Sequence, residues 1–129
     1  MNSLQKAIAA AEAALEKKAY DLVVVKVDHL SSIADYFIVA TGRSDVQVQA
    51  IARGIEERMH SAAERPISIE GVRHAHWVVL DYNDVVIHVF YEPAREFYRL
   101  ESNWFDKHEV VLPEPLRQQV RELSLSASA

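Results

Sequence analysis

His76 to Tyr91, HWVVLDYNDVVIHVFY, is the stretch whose reading decides the fold. Two runs rich in β-branched and aromatic residues are separated by Tyr82-Asn83-Asp84, which reads as a β-hairpin. A two-residue turn, either Tyr82-Asn83 or Asn83-Asp84, divides the side chains in the same way, because strand alternation has period two. One face carries Val78, Leu80, Val85, Ile87 and Val89, is wholly apolar and belongs to the core. The other carries Trp77, Val79, Asp81, Val86, His88 and Phe90, with Asp84 beside the turn. Two readings of this mixed face stand. A helix of the chain covers it, with His88 hydrogen-bonded inside and Trp77 half-buried. Alternatively it is a contact surface, since aromatic anchors with a charged rim are enriched at protein interfaces.

Upstream, Leu4, Ile8, Ala11 and Leu15 recur at helical spacing in an alanine-rich segment. They predict an amphipathic helix over residues 3–18, with Ser3 as N-cap. Residues 22–28 and 36–41 are strands by their β-branched and apolar content. Ser44 followed by Gln47 has the capping-box pattern, and Val48, Ile51, Ile55 and Met59 continue it as a helix over 45–63. Gly54 inside that helix implies close packing, because it costs about 1 kcal/mol relative to alanine. Arg65-Pro66 breaks the chain, and ISIEG is a short extended piece.

Downstream, Pro93 suits the first turn of a helix over about 93–105. Phe97, Leu100 and Trp104 lie along one side of that helix and are expected in the core. Arg95, Tyr98 and Glu101 or Ser102 lie along another side, either solvated or facing a partner. Residues 1–112 are expected to form one domain and 113–129 a partly disordered tail. Leu116, Val120 and Leu123 would make one or two helical turns within it. The expected class is α/β, a mixed sheet flanked by helices.

Composition narrows the function. Half of the 129 residues are hydrophobic, ample for one core. Cysteine is absent, which excludes disulfides, thiolate zinc sites and cysteine nucleophiles. The formal charge of −5 lacks the basic footprint of a protein that binds bare nucleic acid and suits a basic partner instead. Charges at Lys6, Glu12, Glu16, Lys17 and Lys18 break up the apolar N-terminal segment, so neither a signal peptide nor a membrane span is expected there, and the protein is expected to be cytoplasmic.

Catalytic readings fail on spacing. Asp81 and Asp84 are paired carboxylates, but metal-dependent nucleotidyl transfer needs carboxylates on one face of a strand, two residues apart. Here they are three apart, across a turn. His74, His76 and His88 could supply three imidazoles to zinc, yet no carboxylate completes the set. Thr41-Gly42-Arg43-Ser44 opens a helix and could hold an anion, but it lacks the glycine-rich loop and lysine of a phosphate cradle, so a turn and cap is the better reading.

Two stretches carry a resemblance. DLVVVKVDHLSSIADYFIVATGRSDVQVQAIARGIEERM (21–59) resembles the first half of the Iojap/RsfS family, and IEG followed by HWVVLDYNDVVIHVFYEPAREFYRLESNW (76–104) resembles the second. The ordered set is specific: T-G-x-S at a helix start, W-V-V-L-D-Y, D-V-V-I-H-V-F, then R-x-F-Y-x-L-E-x-x-W. The resemblance implies a nucleotidyltransferase-like fold without catalysis and without a cofactor. It implies binding to the large ribosomal subunit through ribosomal protein L-fourteen, at the face where the small subunit docks. Translation under nutrient limitation would fall because subunit joining is blocked. Some members of the family pair as homodimers when free. Carried over by motif, the candidate contact residues are Trp77, Asp81, His88, Phe90, Arg95, Tyr98, Glu101 and Trp104. The chain departs from the family pattern at Asn83, where glycine is usual, and at Asn103, where leucine is common. Asparagine tolerates a left-handed backbone, so the turn is expected to survive.

Overall fold

The computed structural model of the chain describes residues 1–28, 34–97 and 108–128. In chain order its elements are α1 (Ser3–Glu16), β1 (Tyr20–Lys26), β2 (Tyr36–Gly42), α2 (Asp45–Ser61), β3 (Ser68–Glu70), β4 (Trp77–Asp81), β5 (Val85–Tyr91), α3 (Glu92–Phe97) and α4 (Leu116–Ser128). The strands form one mixed sheet in the order β1-β2-β5-β4-β3. The β2–β5 pair is parallel, and the other neighbours are antiparallel. A single-domain α/β protein results.

The hairpin forms with the expected division of faces. Trp77 pairs with Phe90, Val79 with His88 and Asp81 with Val86. The Tyr82 N–H donates to the Val85 carbonyl at 2.9 Å, which leaves Asn83-Asp84 as the two-residue turn. Asn83 takes φ +77°, a left-handed conformation that asparagine tolerates better than most residues. Val78, Leu80, Val85, Ile87 and Val89 are each fully buried. At about 1.5–3 kcal/mol per buried aliphatic side chain, this face is the hairpin's main source of stability.

α1 and α2 pack on that apolar face. Val48, Ile51, Ile55 and Met59 of α2 are all buried, as their spacing predicts. α1 differs from expectation. Leu4 is 40% exposed, whereas Ala7, Ala9, Ala10, Ala11, Ala13 and Ala14 are buried. Side chains this small let the helix backbone sit close to the sheet and to α2, so alanines, together with the expected Leu15 and the partly buried Ile8, mark its inner surface. The N-cap is Asn2, not Ser3. The Asn2 side chain accepts the Gln5 N–H at 2.8 Å, and Gln5 Oε1 accepts the Asn2 N–H at 3.0 Å. A cap at Ser3 would put Lys6 at the reciprocating position, and lysine has no acceptor.

At α2, Ser44 Oγ accepts the Gln47 N–H as predicted. The reciprocal bond shifts back by one residue, with Gln47 Oε1 accepting from the Arg43 N–H at 2.7 Å. The same side chain donates to the Lys17 and Lys18 carbonyls, each at 3.2 Å. The orphan carbonyls at the end of α1 are thereby satisfied by the start of α2. A Cβ on Gly54 would stand 3.1 Å from the Lys17 side chain, which accounts for the glycine in mid-helix.

The tail differs most. α4 runs from Leu116 to Ser128, where one or two turns and a disordered end were expected. Leu116 is buried, and Val120 and Leu123 pack against the main core, because β1 and α1 offer them an apolar surface that the local sequence does not reveal. Before α4, the chain runs beside the edge of β1, with a bridge between Val25 and Glu109.

Lys6 links these layers. Its Nζ donates to Asp84 Oδ1 at 2.6 Å and lies 3.5 Å from Glu64. The Asp84 carbonyl in turn accepts from the Asp35 and Tyr36 N–H groups. The hairpin turn is therefore tied both to α1 and to the start of β2. Lys6→Met strands the Asp84 carboxylate. It should destabilise the fold by roughly 2 kcal/mol, less than the ~3–5 kcal/mol of a fully buried pair, because the Asp84 side chain keeps 29% exposure. Urea unfolding checks this, and Lys6→Met combined with Asp84→Asn should recover most of the loss.

Candidate functional site

The mixed face of the sheet divides into two regions. Around β1 and β2, Val25, Val27 and Ala34 form a second small core with Val23, Phe37 and Val86 against it. Around β4 and β5 the face is aromatic. Phe90 is 3% exposed, and Trp77, its cross-strand neighbour, is 41% exposed. Their rings stack at 5.2 Å with 23° between planes. On this face Phe90 is a buried floor, and Trp77 stands on it and meets solvent.

His88 completes the group. The Trp77 indole Nε1 donates to His88 Nδ1 at 3.1 Å. Indole nitrogen only donates, so Nδ1 accepts and the neutral imidazole carries its proton on Nε2. That Nε2 is buried with no hydrogen-bond partner among the described residues, an arrangement that costs about 1–3 kcal/mol. Phe37 meets the imidazole edge-on at 5.1 Å, and Phe90 lies near-parallel to it at 6.4 Å. Phe37, on β2, was not among the sequence candidates. Only the parallel β2–β5 pairing brings it there.

Gly71 sets where β4 begins. It has φ +87°, and a Cβ would stand 2.1 Å from the Trp77 carbonyl oxygen. Both the backbone conformation and the space demand glycine.

Asp81 is half-buried at the turn end of the same face, where its Oδ1 accepts the Asn83 N–H at 2.8 Å. Asp84 is held instead by Lys6. The two carboxylates thus serve different partners and do not converge. Arg95 lies in α3. Tyr98, Glu101 and Trp104, with Leu100 and Ser102, lie outside the described residues.

His76 lies against Tyr91, their ring centroids 5.5 Å apart and their planes tilted by 30°, apart from the His88 group. Among the described residues no cluster of His, Asp and Glu could hold a metal ion. At the start of α2, the amides of Arg43, Val46 and Gln47 bond to Gln47, Asp45 and Ser44 side chains. That loop is therefore a cap that engages three of its own amides. Beside it lies a cavity of about 340 Å³ lined by Lys18, Tyr20, Arg43, Gln47, Leu123 and Ser126. The sequence did not reveal it, because one wall comes from α4.

Burial lowers the His88 pKa from 6.5 to about 4. The unfolded chain takes up a proton below about pH 6.5 that the folded chain refuses until about pH 4. This residue therefore makes the fold lose stability as pH falls through that window. His88→Phe should flatten the loss in urea unfolding between pH 7 and pH 4.5; an unchanged slope would remove His88 as its source. Gly71→Ala should destabilise the protein and shift its tryptophan emission, since the strand start must move.

The family described as "Ribosomal silencing factor during starvation" matches residues 1–129. A Bacillus subtilis protein named Ribosomal silencing factor RsfS is 41% identical over 97 residues, covering 75% of this chain and 82% of its own. The chloroplastic Iojap protein of Arabidopsis thaliana is 36% identical over 114 residues, 86% of this chain and 46% of its own. Among solved structures, a Chromobacterium violaceum protein has a TM-score of 0.77 at 32% identity, covering 81% of this chain and 87% of its own. One from Bacillus halodurans has a TM-score of 0.70 at 35% identity, covering 84% and 96%. With the whole chain matched and the fold shared, this protein belongs to the ribosomal silencing factor (RsfS/Iojap) family.

Proposed function

We propose that the chain docks through its Trp77 face on the large ribosomal subunit, by way of ribosomal protein L-fourteen, and that its bulk keeps the small subunit from joining. The mechanism is steric and needs neither turnover nor cofactor. It would repress translation under nutrient limitation, in the cytoplasm. The observation that carries this reading is Trp77. A tryptophan 41% exposed, stacked on a buried phenylalanine and bonded to a histidine, matches the anchors on which protein interfaces depend. Asp81 at the rim and a formal charge of −5 suit a basic ribosomal protein, speeding encounter and setting orientation. Family membership supports the ribosome as the target. No helix among the described residues is long and apolar enough to cross a membrane. The Asp84–Lys6 pairing speaks against a carboxylate dyad for nucleotidyl transfer.

A sucrose gradient tests the proposal. The protein should travel with isolated large subunits and lower the yield of joined ribosomes when small subunits are added. Trp77→Ala should weaken co-sedimentation by about 30-fold, the loss of about 2 kcal/mol typical of an interface anchor. Asp81→Lys and Glu101→Lys should weaken it less and chiefly slow association. Full binding by all three folded variants would eliminate this surface. Light scattering of the free protein would read the homodimer that the resemblance implies.

A further inference from the structure

We infer that His88 is a positioning residue for Trp77: its Nδ1 fixes the exposed indole in the orientation that meets the partner, and His88 itself does not touch that partner. This rests on the docking reading and deepens it. Among the described residues, the indole is restrained by a stacked floor from Phe90 at 5.2 Å and by an edge hydrogen bond to His88 at 3.1 Å. Together they oppose rotation about both side-chain torsions. His88 is held by Phe37 at 5.1 Å, edge-on, so the acceptor under the indole is itself fixed. Neither ring nitrogen of His88 is left for a partner, because Nδ1 is engaged by the indole and Nε2 is buried.

The unpartnered Nε2 gives the argument its force. An apolar ring at position 88 would fill the same space among Phe37, Phe90 and Trp77 without burying an unsatisfied donor. What imidazole adds there, and phenylalanine lacks, is an acceptor aimed at the indole. Stability is spent to hold one exposed side chain in one orientation. The return is a smaller ordering cost at docking, since a tryptophan already fixed loses little freedom when it is covered.

The test uses the full chain and purified bacterial large ribosomal subunits. His88→Phe removes the acceptor, and His88→Leu is a second acceptor-free variant should the first fail to fold. His88→Asn restores an acceptor, because its Oδ1 occupies the place of Nδ1. The acceptor-free variant should equal or exceed the parent in stability at pH 7. Its Trp77 indole N–H, assigned by its absence in Trp77→Phe, should exchange faster with solvent. It should bind subunits about three- to tenfold more weakly, the ordering cost of one freed side chain. His88→Asn should recover slow exchange and binding together. In a Trp77→Phe background, His88→Phe should cause no further loss. Unchanged binding by the acceptor-free variant, beside a clear loss in Trp77→Ala, would overturn the positioning role and leave the docking face intact. Full binding by Trp77→Ala would overturn both. An equal loss from His88→Phe with and without Trp77 would make His88 a direct contact and overturn the inference.

Discussion

The register of the β4–β5 hairpin is the constraint on which the rest depends. Strand side chains alternate, so a slip of one residue would turn Val78, Leu80, Ile87 and Val89 outward and drive Trp77, Asp81 and His88 under α1 and α2. Two features prevent the slip. The first is the two-residue Asn83-Asp84 turn, with Asn83 in the left-handed region. The second is the Asp84 node, whose carboxylate meets Lys6 of α1 and whose carbonyl meets the start of β2. The apolar face supplies the energy, and the turn and its clamp select the register in which that energy is gained.

The sheet then presents two faces with different duties. One is closed by α1 and α2, and by the alanine surface that lets α1 approach closely. The other is apolar near β1 and β2 and aromatic near β4 and β5. Packing on the first face holds the strands still. A rigid sheet can therefore display Trp77 on the second face without a loop to wander, which suits the docking role proposed for it, since rigid elements place a recognition group better than loops do. Gly71 contributes by letting the chain turn tightly against the Trp77 carbonyl.

Within the aromatic group, polarity is spent sparingly. One hydrogen bond joins Trp77 to His88, and the imidazole's second nitrogen is buried without a partner. A core selected for stability alone would avoid that arrangement, since a buried donor without an acceptor costs more than an apolar ring of similar size. Local sacrifices of this kind concentrate where a surface has a task. Here it coincides with the exposed tryptophan.

Much of the fold was legible in the sequence. Period-two alternation over residues 76–91 determined the hairpin and its faces, and period-3.6 spacing with a serine cap determined α2. Both signals are local, written in consecutive residues. The candidate site was legible only as a list. Trp77, Asp81, His88 and Phe90 fell on one face by alternation alone, yet their separate roles did not follow. Asp81's bond to the Asn83 N–H is local to the turn, but Phe37 reaches His88 only because β2 lies alongside β5, and sequence spacing carries no information about a parallel partner 49 residues away in the chain. The same holds for α4, whose apolar residues are too sparse to make a helix by themselves. They find their surface on β1 and α1, and long-range burial supplies what local propensity lacks.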